Sequence, residues 1–343
     1  MVAKKTKLGN KKGSRQSSSI PVFIHSLWRS GSTYLFSVFR RSNESYWNYQ
    51  EPLNEAALYA KNNRESLLSI STTETMRLLR HPLLASPYFL ELYEIWEHWR
   101  EIISKPIIYD EYFDNIGSDQ LIKYLSALIT HAKGRPIIHE CRTACRIKAI
   151  KRRVGGFHLY LWRNPWDQWS SYKILNYFDI TSQLILNAPI HPEAITRLKK
   201  VIGFAEFHHD DISLEFSHFN SNRLSAGKSY LVFYLLWCLG LFEAMANADL
   251  LLNIDALSDS QSYKEEINKH LLHFNVTDID FSDCKVPQRY YSAANKAFFA
   301  VLEDRVHSIV LLSGYSKEQL THLQGLRQSS EPQDVNCIHQ IKT

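Results

Sequence analysis

Five short runs of apolar, β-branched and aromatic residues, set far apart in 343 residues, constrain this chain more than any other feature. They read "PVFIHSL" (21–27), "SYWNYQEPL" (45–53), "RPIIHEC" (135–141), "FHLYLWR" (157–163) and "ADLLLNID" (248–255). Each has strand length, and helix-patterned sequence separates them. Strands alternating with helices predict an α/β fold, a mostly parallel sheet covered on both faces. Ligands of such a sheet sit at the carboxyl ends of its strands. The residues that follow each run are therefore the first place to look for function. No internal repeat or long linker interrupts the pattern.

A hydrophobic content of 45% and an aromatic content of 13% support a sizeable core. We expect one domain over 20–328, a basic disordered tail at 1–19 and a flexible polar tail at 329–343. The segment 54–134 is expected to form a helical, aromatic-rich insertion contributing to an acceptor site. Within it, Leu92, Trp96, Trp99 and Ile103 follow helical spacing, as a core-facing stripe or as the lining of an acceptor pocket. The formal charge of +5 suits an anionic ligand. It lacks the concentrated basic face of a nucleic-acid binder, so no nucleic-acid partner is expected. "KAIKRRV" (148–154) reads as a solvated helix face or as help in attracting an anionic cofactor.

Cys141, Cys145, Cys238, Cys284 and Cys337 form no C-x-x-C pair. That argues against a disulfide framework or a zinc site and for a reducing, cytoplasmic setting. The first residues lack the apolar core of a secretory signal, so the Asn-Glu-Ser at 43–45 is not expected to carry a glycan. The most apolar run, 230–242, is shorter than the about 20 residues a bilayer span needs. Its place before "ADLLLNID" predicts a buried helix feeding a buried strand. "HHDD" (208–211) offers no clean metal-ligand set, because adjacent helical residues point apart.

The first run leads into "WRSGST" (28–33). A strand that turns into a helix leaves the first helical N–H groups unpartnered, and with the helix dipole these can hold a phosphate. Gly31 permits close backbone approach, Ser32 and Thr33 add hydroxyls, and Arg29 adds a charged fork suited to oxyanions. A capped helix beside an arginine would be written with the same residues. An NTP-binding loop requires G-x-x-x-x-G-K-[ST], and here one glycine stands with no lysine before the hydroxyl pair. Asp255 in "LLNIDAL" is the nearest candidate for a magnesium-binding aspartate.

"LYLWRNPWDQWSSYK" (159–173) repeats the arrangement on another strand. Arg163 stands where the strand ends, Asn164-Pro165 turns the chain, and proline suits a helix start. Ser171 follows eight positions after Arg163, so the two can grip a second phosphate; alone, "RNP" is a turn. Together the two elements resemble the cofactor motifs of the sulfotransferases that use 3′-phosphoadenosine 5′-phosphosulfate (PAPS). The family's "(K/R)-S-G-(S/T)-T" loop, which binds the 5′-phosphosulfate, reads here Arg29, Ser30, Gly31, Ser32 and Thr33. Its "R-(D/N)-P" with serine eight positions on, which binds the 3′-phosphate, reads Arg163, Asn164, Pro165 and Ser171. "ADLLLNIDAL" is similar to the family's late strand, with Asp255 at the acidic position. The resemblance runs from about residue 21 to 275 and is specific at the two cradles. "WRSGST" is closer to the carbohydrate sulfotransferases and their bacterial relatives than to the phenol and steroid enzymes, which carry lysine in place of Arg29.

The resemblance implies a P-loop NTPase-like three-layer fold, PAPS as sulfuryl donor, no metal, and an acceptor hydroxyl on a carbohydrate or related small metabolite. Arginine stays protonated, so Arg29 is expected to stabilise charge rather than give a proton. For the base, Glu51 in "YQEPLNE" matches a glutamate of the related carbohydrate enzymes. The histidine that serves other members falls at Cys141, with His139 in the place of their lysine. Glu51 is the preferred base and His139 and Glu140 the alternatives, of which strand alternation lets at most one line the site. Lys285 and Arg289 fall where some relatives carry a late basic loop. Two other classes fit a nucleotide cradle: a magnesium- and ATP-dependent small-molecule kinase, and a non-catalytic nucleotide-binding protein.

Overall fold

The computed structural model describes residues 20–69, 77–81 and 84–332. The expected tail at 1–19 lies outside the described residues, as does the expected tail at 329–343 apart from 329–332. The last described helix, Lys317–Ser329, closes one residue beyond the expected domain limit.

All five runs are strands: β1 (Val22–Ser26), β2 (Tyr46–Gln50), β3 (Arg135–Glu140), β4 (Phe157–Trp162) and β5 (Leu250–Asn253). They form one sheet in the order β2-β3-β1-β4-β5, and every pairing is parallel. The period-two side-chain alternation of a strand divides the core between the two faces. Val22, Ile24, Leu159, Leu161 and Leu252 pack on one face with Leu35, Val38 and Phe39 of α1 (Ser32–Arg41). Phe23, Tyr49, Tyr160 and Trp162 pack on the other, against the helix Ala226–Asn247. Burial of both faces explains why the runs read as nearly continuous apolar stretches.

The Ala226–Asn247 helix corrects the expectation drawn from 230–242. It has 22 residues and is long and apolar enough to cross a membrane by length and composition, because helical structure continues past both ends of the apolar run. In the fold, 83% of its most apolar window is buried. Gly240 lets it lie against β4, since a Cβ there would run into the Tyr160 hydroxyl. It hands the chain to β5, as the run of apolar residues predicts.

The insertion is helical in pieces. Glu55–Tyr59, Ser66–Ser69, Leu90–Glu94 and Trp96–Trp99 are each a turn or so long, Pro106–Asp110 is a π-helical turn, and among the described residues only Asp119–Thr130 is a longer helix. The chain breaks helical geometry at Ile95, with φ −111°. The 92–103 stripe is thus not one helix, yet Leu92, Trp99 and Ile103 all enter the core. Trp96 is half-buried and donates its indole N–H to the Ala60 carbonyl at 2.9 Å.

Candidate anion cradle and adjoining cavity

β1 ends in a tight turn before α1. Arg29 (φ 67°) and Gly31 (φ 102°) both take positive φ, and Ser30 between them is fully buried. Gly31 is the N-cap of α1, and no side chain caps the helix. The first intrahelical bond runs from the Leu35 N–H to the Gly31 carbonyl at 3.2 Å, so the N–H groups of Ser32, Thr33 and Tyr34 point out of the helix start. The Ser30 hydroxyl has no hydrogen-bond partner. A Cβ on Gly31 would stand 2.9 Å from Ile254 Cγ1, so glycine is needed for space as well as for φ. Such a turn offers an anion several donors.

The second motif lies beside the first. Asn164 caps the helix Pro165–Tyr172 by accepting from the Asp167 N–H at 2.9 Å, and Ser171 in that helix accepts from Arg29 Nε at 2.8 Å. Ser171 therefore meets Arg29, whereas Arg163 turns to Asp255, with Nε donating to Oδ1 at 3.3 Å. Asp255 also accepts from the Asn164 N–H at 2.7 Å. It sits in the first turn of the helix Ile254–Asp259, and burial pushes its carboxyl up to about 6 despite the Arg163 charge. Burial and the positive charge of Arg163 lower the Arg29 guanidinium to about 10.

Arg29 makes further bonds: Nη1 to His81 Nε2 at 2.7 Å and Nη2 to the Leu79 carbonyl at 2.6 Å. Arginine has only donors, so His81 accepts with a neutral ring, in keeping with burial and Arg29 lowering it to about 3. The late loop carrying Lys285 and Arg289 crosses the second motif. Arg163 donates to the Pro287 carbonyl, and the Arg289 N–H donates to Asp167 at 3.2 Å. The side chains of Lys285 and Arg289 are exposed above it.

Next to the first turn opens a cavity of about 420 Å³, at the carboxyl ends of β1 and β2. Arg29, Ser32, Thr33, Glu51 and Glu55 line it together with Trp28, Tyr59, Tyr88, Phe89, Tyr177 and Phe178. A larger cavity, about 1220 Å³, opens beside Tyr46 and Arg135, where β2 and β3 begin. That is the amino end of the sheet, away from the crevice where a parallel sheet receives ligands. Behind the smaller cavity, Arg142 is fully buried and gathers three carboxyl groups. It reaches Glu51 at 3.1 Å, Glu55 at 2.6 Å and Glu140 at 3.8 Å. Glu51 also accepts from Tyr88 at 2.9 Å and from Asn54 at 3.2 Å. Glu55 accepts from Tyr109 at 3.0 Å and Tyr177 at 2.5 Å. Burial raises Glu140 to about 7 against the pull of Arg142.

No family model, curated protein or solved structure matches this chain.

The motif residues Arg29 to Thr33, Arg163 and Ser171 thus come to one end of the sheet, and Glu51 faces the adjoining cavity. Glu140 lies one layer back, accepting from the Leu53 and Arg142 N–H groups at 2.7 and 3.0 Å. His139 does not line the cavity. Its ring is fully buried edge-on to Phe36 and Phe39 of α1, with neither nitrogen partnered, and burial holds it down to about 3. A ring so placed cannot take a proton from an acceptor, so His139 is withdrawn as a base. Sequence reasoning missed Arg142, Glu55, Tyr88, Tyr177 and His81. The signals for two of them were present: Arg142 directly follows a strand end, and Glu55 stands four positions from Glu51.

Proposed function

We propose that this chain transfers the sulfuryl group of PAPS to an acceptor hydroxyl of a small metabolite or carbohydrate in the 420 Å³ cavity. The observation that carries the reading is the Arg29–Ser171 hydrogen bond, which brings the two motifs together through residues 142 positions apart. The strand order, with the glycine turn after central β1, supports a P-loop-like fold. The missing loop lysine disfavours the kinase alternative.

PAPS fits the residues present. The unpartnered Ser30 hydroxyl, the free N–H groups at the start of α1 and Arg29 would hold the 5′-phosphosulfate. Arg163, with the Lys285–Arg289 loop above it, would hold the 3′-phosphate. PAPS supplies an activated sulfuryl group with the bisphosphate as leaving group. In-line transfer needs positioning and stabilisation of charge on the leaving oxygen. Arg29 provides that charge, since it gives up no proton near neutral pH. For Arg29 to serve, its bonds to Leu79 and His81 must give way to the anion's oxygens. Glu51 takes the acceptor proton. A carboxylate has about four lone-pair positions, and three are engaged by Tyr88, Arg142 and Asn54, which leaves one for the acceptor. Transfer of labelled sulfate from PAPS to a panel of hydroxyl compounds tests the proposal. Label in product with wild type and none with Arg163→Ala is expected; no transfer to any member contradicts it.

A further inference from the structure

The cavity lining carries both signs of charge. Arg29 supplies the positive charge of its lining, and Glu51 and Glu55 the negative. Among the described residues, Arg142 is the cation within ion-pair distance of both, and Glu140 draws on the same guanidinium. Glu140 is also answered by the Arg146 guanidinium, which is fully buried beside Arg142, so Glu51 and Glu55 against Arg142 leave a formal excess of one negative charge at the cavity. The hydroxyls of Tyr88, Tyr109 and Tyr177 donate to these carboxyl groups but bring no charge. Buried charge without a counter-charge is costly.

The rest of the lining is largely rings, chiefly Trp28, Tyr59, Tyr88, Phe89, Tyr177 and Phe178. Ring faces attract cations, and two of these already do so: Arg142 lies over Trp28 at 5.2 Å and Arg29 over Phe178 at 5.4 Å. The buried indole N–H of Trp28 has no partner, which leaves a donor for a ligand oxygen. Glu51 and Glu55 already accept from Arg142, Tyr88, Asn54, Tyr109 and Tyr177, so a neutral polyol would find few free acceptors there, whereas an ammonium is also drawn by their net charge.

We infer that the acceptor is an alcohol or phenol that also carries a protonated amine, held by Glu55 and the ring faces with its hydroxyl beside Glu51 and Arg29. This specifies the acceptor of the proposed transfer and rests on that reading for the hydroxyl alone; the charge and the rings stand without it. In the transfer, the acceptor oxygen forms a bond to sulfur as the bond from sulfur to the bisphosphate oxygen breaks, and the hydroxyl proton passes to Glu51. The ammonium nitrogen has no lone pair and stays a spectator.

Calorimetry on the full chain without PAPS compares tyramine with 4-propylphenol, its neutral counterpart of equal length, and with 3-(4-hydroxyphenyl)propanoate. Glucosamine is compared with glucose in the same way. An amine should bind at least about tenfold more tightly than its neutral counterpart, with the carboxylate weakest, and Glu55→Gln should erase the margin. The wild-type comparison decides the matter even where the variant fails to fold. Equal or tighter binding of the neutral compounds, or no binding of either amine, overturns the inference. An amine preference in a protein that binds no bisphosphate sustains the inference and removes sulfuryl transfer. Bisphosphate binding without an amine preference removes the inference alone.

Discussion

Glu51 precedes Pro52 and holds φ at 42°, a left-handed value that costs a non-glycine residue about 1–3 kcal/mol. Its backbone N–H is anchored to the His139 carbonyl at 2.7 Å, and its carboxylate is fixed by three side-chain donors. That strain and anchoring aim the carboxylate at the cavity. Glu51→Gln is expected to lower turnover by about 10²–10⁴-fold while bisphosphate affinity stays near wild type, as steady-state kinetics and calorimetry would show. Residual activity near wild type removes Glu51 as base. His139 gives the opposite expectation. A buried polar group without a partner costs about 1–3 kcal/mol, so His139→Leu should keep activity and raise Tm at pH 7. A loss of activity with the fold intact would return His139 to the site. Glu51 was legible from its strand-end position, whereas the burial of His139 depends on Phe36 and Phe39, whose packing no local pattern announces. Arg142 escaped notice for a related reason: its partners lie 87 and 91 positions away in sequence.

At the scale of elements, all five strands were legible because burial on both faces forces short, nearly continuous apolar runs. The turn after β1 was legible too, since only glycine satisfies both its φ of 102° and its contact with Ile254. Gly31→Ala should therefore destabilise the fold by about 1–3 kcal/mol and weaken bisphosphate binding by at least about tenfold. Denaturant melts and calorimetry check both, and an unchanged affinity would separate the turn from the ligand. The insertion was the least legible element. Its helical spacing hid a break at Ile95 and a π-turn at Pro106–Asp110, which places the Tyr109 hydroxyl on Glu55. Short helices of this kind are held by tertiary packing, which spacing does not report.

Across the whole molecule, the acidic wall couples stability to pH. Glu140 titrates near 7 when folded, against an ordinary value of 4.5. Between these values the folded chain keeps a proton that the unfolded chain has released, so this contribution is complete below 4.5 and is lost as pH rises through about 7. The loss is on the order of 3 kcal/mol. Buried His25, His81, His139 and His158 act in the opposite sense: their lowered values remove stability as pH falls below the ordinary 6.5. The two effects separate in a difference measurement. The Tm of Glu140→Gln minus that of wild type should rise from pH 5 to pH 8, whatever constant offset the altered acceptor adds. A flat difference would show that Glu140 ionises normally in the fold.

The central claim is that the paired motifs hold a bisphosphate nucleotide rather than a magnesium-bound triphosphate. Calorimetric titration with adenosine 3′,5′-bisphosphate and, separately, with Mg-ATP tests it most directly, with Arg163→Ala alongside. The account predicts clear binding of the bisphosphate without magnesium, little binding of Mg-ATP, and a loss in Arg163→Ala far larger for the bisphosphate than for adenosine 5′-phosphosulfate, which lacks the 3′-phosphate. Tight Mg-ATP binding with no response to the bisphosphate would contradict it.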